Sequence, residues 1–419
     1  MSEMRVVVIG AGAAGLVAAA EAARRHADVQ LLEKNNKVGV KILMSGGTRC
    51  NLTHDTDAKG ITKHFRHAQR FLQPSVGAFS PSDVVAMFRQ ENVPTKVEST
   101  GKVFPVSDRA LHARDALVAI ATRAGVKIRT GQPVLGVRPA GRGWSVQLNH
   151  EEIECDRVIV TAGGMSYPGC GTTGDAYPWL KKLGHTIVTP RPALVPLTGG
   201  SHWTHELSGL TLEDCVAEVH VRNKLGKSAV LASRRSAWLF THVGFSGPAA
   251  MDISHAVTAA DSFDQIELCV DLVPALTREE IQHVLSDRKG GRGRQHIASL
   301  LAEWLPQRLA TALVDLDPSL KVNSSASQMS RSSRSQLVQR IKQLPLDIHG
   351  TRGFPKAEVT AGGVHLSEVE PKTMRSRLAD GLFIAGEVLD VDGPIGGYNF
   401  QAAFSTGRAA GAAAAMKKG

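Results

Sequence analysis

Long hydrophobic runs are missing from this chain. No stretch approaches the roughly 18 apolar residues of a membrane-spanning helix, and the opening MSEMRVVVIG lacks the charged leader and cleavage site of a secretory signal. Cysteine is scarce: Cys50, Cys155, Cys170, Cys215 and Cys269 are the only five in 419 residues. Their odd count, their wide spacing and the lack of any Cys-x-x-Cys argue against a disulfide framework, a zinc ribbon and a dithiol redox centre alike. No metal site is expected. A soluble, unexported protein of the reducing cytoplasm, with no membrane partner, fits these absences.

What is present supports a folded chain of two or three domains. Apolar residues make up 42% and charged residues 21%, enough for a large core. The formal net charge is +10. A nucleic-acid partner is one explanation; a solvated basic surface around one anionic cofactor pocket is the plainer and preferred one, because net charge alone says nothing about a site. The basic segments DRKGGRGRQH (Asp287–His296) and SRSSRSQLVQRIK (Ser330–Lys342) carry no interleaved aromatics for stacking on bases.

The amino-terminal MRVVVIGAGAAGLVAAAEAARRHADVQLLEK is a β-α-β unit. Met4–Ile9 is β-branched and uninterrupted, as in a buried parallel strand; Ala13 to about His26 is rich in the best helix former; Val29–Leu32 is the next strand. Between strand and helix, Gly10, Gly12 and Gly15 form G-x-G-x-x-G, with Ala13 and Ala14 opening the helix. Gly10 permits the tight turn, Gly12 lets a pyrophosphate approach the backbone, and Gly15 lets helix and strand pack. The free N–H groups of the helix start would hold the phosphates. Glu33, followed by Lys34, stands where a ribose-binding acid belongs, and its charge disfavours a 2′-phosphate. The ligand is therefore FAD or NAD.

The far end of the chain favours FAD. In GLFIAGEVLDVDGPIGGYNFQAAFSTGRAAGAAAA, Leu382–Ala385 reads as a strand, followed by Gly386-Glu387, a glycine-rich loop at Gly393–Gly397, and a long small-residue helix from about Tyr398. Glu387 is placed to bond ribitol hydroxyls. The helix start, Gly397 to Gln401 with Asn399, is placed to face the flavin atoms that gain negative charge on reduction.

Between these ends, helices are expected near Pro81–Glu91 and Asp108–Ala124, then a β-meander and a returning strand at Val158–Val160. The composition changes after about Thr189, and LEDCVAEVHVRNKLGKSAVLAS reads as a hairpin turning at Asn223–Gly226. Thr277 to about Leu344 is helical and charged, broken by the loop-like VNSSASQMSRSSRS. The expected organisation is a discontinuous first domain, 1–190 and 350–419, with an inserted β-rich part, 191–276, and an inserted helical part, 277–349. Within the insert, FTHVGFSGP sets Phe240, His242 and Phe245 among glycines. It reads as a loop offering one polar group within an apolar substrate wall, or as a segment that packs the insert on itself.

Several blocks resemble one known family from end to end: GAGAAG, KILMSGGTRCNLT, VIVTAGGMSYPGCGTTGDAY, FTHVGFSGPAAMDIS, AEVTAGGVHLSEVEPKTMRSRLADGLFIAGE and DVDGPIGGYNFQAAFSTGRAAG. The chain is similar to the BaiN-like or YhiN-like bacterial flavoproteins, also called aminoacetone-oxidase-family FAD-binding enzymes. The resemblance implies an α/β, Rossmann-like, two-dinucleotide-type FAD domain of the glutathione reductase class, with an inserted barrel-like and helical region. It implies that Ser45 to Asn51 wrap the flavin, with Gly46 and Gly47 allowing backbone approach. Lys41 and Arg49 would offset charge near the pyrophosphate, and Cys50 and Asn51 would lie toward the ribityl chain or ring. Where the family usually has a third glycine before the arginine, this chain has Thr48. Thr161, Ala162 and Gly163 would pass beside the cofactor, and the Val134 amide would meet adenine. Cys50, with no thiol to resolve it, is a better packing residue than redox nucleophile.

The expected function is that of an FAD-dependent oxidoreductase, with non-covalent FAD, acting on a small or medium organic substrate such as an enone, ketone or amine. No second G-x-G-x-x-G follows a strand in mid-chain, so NAD(P)H would bind only transiently, in the substrate space, or oxygen would accept the electrons. A fumarate-reductase or aspartate-oxidase-like enzyme and an RNA-binding or tRNA-modifying flavoprotein are the alternatives. Tyr167, His242, His365 and Tyr398 are proton-donor candidates, none of them singled out as the catalyst.

Overall fold

The computed structural model describes residues 3–222, 228–286, 292–320 and 323–416. They form two compact units, Met1–Pro192 with Phe354–Gly419, and Ala193–Gly353. The expected hairpin turn at Asn223–Gly226 and the Asp287–Gly291 part of the first basic segment lie outside the described residues.

The first unit is organised by a parallel sheet whose strands are β1 (Arg5–Ile9), β2 (Asp28–Leu32), β3 (Lys127–Arg129), β4 (Arg157–Val160) and β5 (Leu382–Ile384), in the spatial order β5-β4-β1-β2-β3. Val6 to Ile9 and Val158 to Val160 are buried, as strands covered on both faces require. Helices α1 (Ala13–Arg24) and α2 (Tyr398–Ala414) pack at backbone distance. A Cβ on Gly407 would lie 2.3 Å from the Ala14 carbonyl oxygen, and one on Gly411 would lie 2.2 Å from that of Ala18. The small-residue composition of both helices has this close approach as its physical reason. The expected helices appear as Pro81–Gln90, started by a Ser80–Asp83 capping box, and Ala110–Arg123. The meander runs through Gly136–Ala140, Gly143–Gln147 and Glu152–Cys155.

The second unit contains a seven-stranded sheet ordered Leu344–Leu346, Ile266–Asp271, Thr211–Arg222, Ser228–Thr241, Gly244–Ser246, Leu197–Gly199, Ile348–Thr351. Its two edge strands are consecutive in the chain, with only Asp347 between them. Seven strands laid flat would separate the edges by roughly 29 Å, so the sheet must curl, and the barrel-like expectation has its geometric basis here. The inserted β and helical stretches share one core: Leu268, Val270 and Trp238 from strands cluster with Ile281, Leu309 and Ile341 from helices. The division drawn at residue 276 is therefore not a packing boundary. The serine-rich break is also shorter than expected, because Ser330 accepts from the Ser333 N–H at 3.0 Å and starts the helix Arg331–Lys342.

FTHVGFSGP is not a loop in an apolar wall. Phe240 and Phe245 lie on paired strands with no exposed surface, and Phe245 sits 5.1 Å from Trp238 and 6.0 Å from Phe240, ring centre to ring centre. The alternation of apolar residues across a pleated strand drives both rings into the core. Of this block's polar groups, His242 is exposed.

Candidate cofactor site and active site

β1 ends at the glycine turn. Gly10 adopts φ +99°, and its N–H donates to the Leu32 carbonyl at 2.8 Å. A Cβ on Gly15 would fall 1.8 Å from the Gly10 oxygen. The fold itself needs these two glycines. Gly12 differs, because its backbone is extended and a Cβ there would meet nothing within 4 Å. Ala14 is buried, so the open side of the turn lies at Gly12, and no side chain caps α1. An uncapped helix start beneath an open cradle fits a pyrophosphate.

Glu33 is buried at the end of β2. Its Oε2 accepts from the Ala11 N–H and its Oε1 from the Asn35 N–H, both at 2.9 Å. Each oxygen keeps a second lone pair, so the carboxylate is fixed in direction yet still able to accept from hydroxyls. Gly131 and Gln132 donate to the Asn35 and Glu33 carbonyls at 2.9 Å, which brings the stretch leading to Val134 beside the same strand end. Lys34 turns to Thr173, at 2.7 Å, and to Asp175.

At the other strand ends, the Thr161 hydroxyl donates to the Ile9 and Gly10 carbonyls, both at 2.9 Å, and stitches β4 to the glycine turn. Ala162 and Gly163 follow, Gly163 with φ +75°. Gly386, with φ +78°, packs on Ala14, and its N–H donates to the Thr406 hydroxyl at 3.0 Å. Glu387 accepts from Lys41, from the Ser166 hydroxyl at 2.7 Å and from the Thr360 N–H at 2.8 Å. Lys41 also donates to Ser166 Oγ at 2.6 Å. Lys41, expected at the pyrophosphate, and Glu387, expected at the ribitol, thus bind each other. The lower dielectric of a partly dehydrated site strengthens the attraction between the opposite charges.

The Ser45–Asn51 loop reverses tightly. Gly46, Gly47, Thr48 and Cys50 all have left-handed backbone, with φ of +53°, +65°, +69° and +62°. The Ser45 hydroxyl donates to the Ile42 carbonyl at 2.7 Å. A Cβ on Gly47 would meet nothing within 4 Å, so this side of the loop is open. Arg49, expected near the pyrophosphate, is engaged by groups of the protein. Its guanidinium lies 4.0 Å from the centre of the Phe104 ring, donates to Glu98 at 2.6 Å and stands 3.6 Å from Asp108. Cys50 is fully buried, and burial pushes its thiol up to about 12, which suits packing and not redox chemistry. Asn51, with its amide turned to suit its neighbours, donates to the Thr53 carbonyl and accepts from the Gly397 N–H, both at 2.9 Å. It ties the loop to the start of α2.

Gly397, at φ +89°, precedes α2, and no side chain caps the helix. Tyr398 stacks on His54 at 5.0 Å and lies 4.6 Å from His64, ring centre to ring centre. Asn399 closes the glycine-rich loop through both Gly393 backbone groups, at 2.8 and 2.9 Å. Gln401 is fully buried and bonds Thr53, Ser405 and the Phe79 carbonyl, so it braces α2 and is not presented at its start. Of the other proton-donor candidates, His365 is exposed beside Ser367, and Tyr167 holds a left-handed φ of +56°.

Three partners escaped the sequence: Ser166, Thr360 and His67. Ser166 and Thr360 lie inside blocks already singled out, MSYPG and AEVTAGG. His67 gave no signal. It meets Asp390 at 3.1 Å, and that hydrogen bond raises its pKa, while Asp390 also accepts from the Gly362 N–H at 2.9 Å.

A parallel sheet with the dinucleotide turn at one strand end, an acid on the second strand and a distant strand-glycine-helix closing on the first helix defines an FAD-dependent oxidoreductase. A model of the HI0933-like protein Rossmann domain matches residues 4–413, and the chain belongs to this family. It is 32% identical over 416 residues to the 3-dehydro-bile acid delta(4,6)-reductase of Clostridium scindens, covering 99% of each chain. It is 31% identical over 410 residues to the ribosomal RNA dihydrouridine synthase of Escherichia coli, covering 97% of this chain and 96% of that one. Among solved structures, the 3-ketosteroid-delta4-(5alpha)-dehydrogenase of Rhodococcus jostii RHA1 shares the fold, with a TM-score of 0.51 at 14% identity over 100% of this chain and 98% of that one. No helix among the described residues is long and apolar enough to cross a membrane.

Proposed function

We propose that this oxidoreductase reduces a carbon–carbon double bond conjugated to a carbonyl group in a ring compound of small or medium size, a steroid-like enone being the leading form. The observation that carries this is end-to-end relatedness to a reductase named for a 3-dehydro-bile acid. That name puts a carbonyl next to the reduced double bond. A dihydrouridine synthase acts on the same kind of bond, since the uracil ring double bond is conjugated to a carbonyl. FAD supplies the hydride chemistry when bound.

The chain's own residues divide the remaining work. The start of α1, with Gly12, would hold the phosphates, and Glu33 would accept from the adenosine ribose. The Ser45–Asn51 loop, fastened to Gly397 by Asn51, would fix the backbone near the ring. The uncapped start of α2 favours negative charge, and would stabilise the charge that a flavin ring held beside it gains on reduction. NAD(P)H would be a transient donor in the substrate space. All five cysteines are free, which agrees with a cytoplasmic setting.

The test is anaerobic. The holoenzyme is reduced with NADH or NADPH, and the rate of flavin reoxidation is followed with cyclic enones and with their saturated ketones. Enones should reoxidise the flavin and saturated ketones should not. Equal rates with both, or no reoxidation by any enone, would sink the proposal. A second reading, a uracil ring carried in RNA, draws on the dihydrouridine synthase relatives and the net charge of +10.

A further inference from the structure

Residues 59–70, KGITKHFRHAQR, carry Lys59, Lys63, Arg66, His67 and Arg70, all exposed. Lys59 and Lys63 stand one helical turn apart on and just after the helix Ala58–Thr62, where the Lys63 N–H donates to the Lys59 carbonyl at 3.1 Å. Arg66 and Arg70 repeat the spacing from the short turn Arg66–Ala68 into the helix Gln69–Ala78. Like charges at this spacing destabilise a helix, so helix formation gives no reason for the pattern.

Two of the five cations are fixed in place. Arg66 pairs with Asp392, and His67 meets Asp390. Asp392 directly precedes the Gly393–Gly397 loop and Asp390 stands two residues earlier, so the strip is fastened to the segment that leads into α2, the end of the site assigned above to the flavin ring. Among the described residues no ion pair neutralises Lys59, Lys63 or Arg70. Of the acids just before the strip, Asp57 caps the helix by accepting from the Gly60 N–H at 2.6 Å, and Asp55 is exposed. The apolar residues in and just after the strip, Ile61, Phe65, Phe71 and Leu72, are buried. With nothing apolar to insert into a bilayer, this cationic face favours a polyanion in water over a lipid surface.

We propose that Lys59, Lys63 and Arg70 form a phosphate-binding strip that receives RNA beside the flavin end of the site. The strip follows the backbone phosphates and leaves the reacting ring to the pocket. This assignment rests on the second reading above, a uracil ring carried in RNA, and not on the steroid-like form.

The experiment measures binding of a fluorescein-labelled single-stranded RNA to the FAD-loaded protein by anisotropy, over a potassium chloride series. Wild type is compared with Lys59→Glu/Lys63→Glu/Arg70→Glu, with the milder Lys59→Gln/Lys63→Gln, and with Lys181→Glu/Lys182→Glu, a pair of exposed lysines outside the strip. For three phosphate contacts, the slope of log affinity against log salt should fall in magnitude by about 2 in the triple variant, and by about 1.4 in the glutamine variant. The triple variant should bind at least about tenfold more weakly at low salt, and the control should match wild type. FAD absorbance and melting temperature show that each variant is folded; if the triple variant is not, the glutamine variant decides. Unchanged affinity and slope in the strip variants would overturn the proposal. So would wild type that binds phosphatidylglycerol vesicles but not RNA. Enone reoxidation is measured separately, so failure of the chemistry and failure of the strip are told apart.

Discussion

Lys41 and Glu387 are separated by 346 residues and form one ion pair, with the Ser166 hydroxyl bonded to both. The Thr360 N–H completes the carboxylate. Three other segments of the chain therefore converge on one carboxyl group. Its orientation depends on both ends of the chain having folded.

Breaking this pair should loosen the first unit and its hold on FAD together. Lys41 and Glu387 keep 27% and 21% of their side-chain surface, so they are screened less than a surface pair. Glu387→Gln and Lys41→Met should each lower stability by about 1–3 kcal/mol. The double variant should show a coupling energy of about 1 kcal/mol or more in urea unfolding. Strict additivity of the two changes would contradict the shared network.

Gly12 and Gly15 should fail in different ways. A side chain at Gly12 meets no protein atom, whereas one at Gly15 strikes the Gly10 carbonyl at 1.8 Å. Gly12→Val should yield folded, largely colourless protein, and Gly15→Val should fail to fold. Circular dichroism with FAD absorbance separates the outcomes. A yellow Gly12→Val protein would remove the phosphate cradle from this turn.

Thr48→Gly should relieve strain. Thr48 is β-branched and sits at φ +69°, a conformation such residues avoid. The strain is worth about 1–3 kcal/mol, and glycine's extra chain entropy returns about 0.5–1 kcal/mol of it. The variant should be slightly more stable by thermal melting of the apoprotein. A clear loss would mean that the threonine side chain holds the loop.

Cysteine reactivity should be low in the native protein. Burial pushes the Cys50, Cys155 and Cys215 thiols to about 12, and all five cysteines are buried. A thiol-specific chromogenic reagent near pH 8 should find almost no native thiols, and five after denaturation. These raised values favour the neutral form in the folded state. Their contribution is complete below the ordinary value of 9.0 and is lost as pH rises toward 12. Urea midpoints should therefore fall above pH 9. Cys50→Ser should keep FAD and flavin reduction. Loss of reduction with FAD still bound would make Cys50 a redox residue.

The sequence by itself determined the β-α-β unit, its glycine turn and Glu33. These depend on local rules: an apolar run long enough for a buried strand, an alanine-rich helix, and glycine wherever a Cβ would collide. It also determined the strand, Gly386 and small-residue helix at the far end, because spacing and side-chain size are read along the chain. Only the tertiary structure decided what the charged residues do. Lys41 chose Glu387, Arg49 chose Glu98 and the Phe104 ring, and Lys34 chose Asp175. A long cation can reach several partners, and which one it meets depends on segments brought together from across the chain. The same holds for Phe240 and Phe245, which a glycine-rich context made look like a loop. Their strand pairing comes from neighbours whose order in the sheet no local pattern encodes.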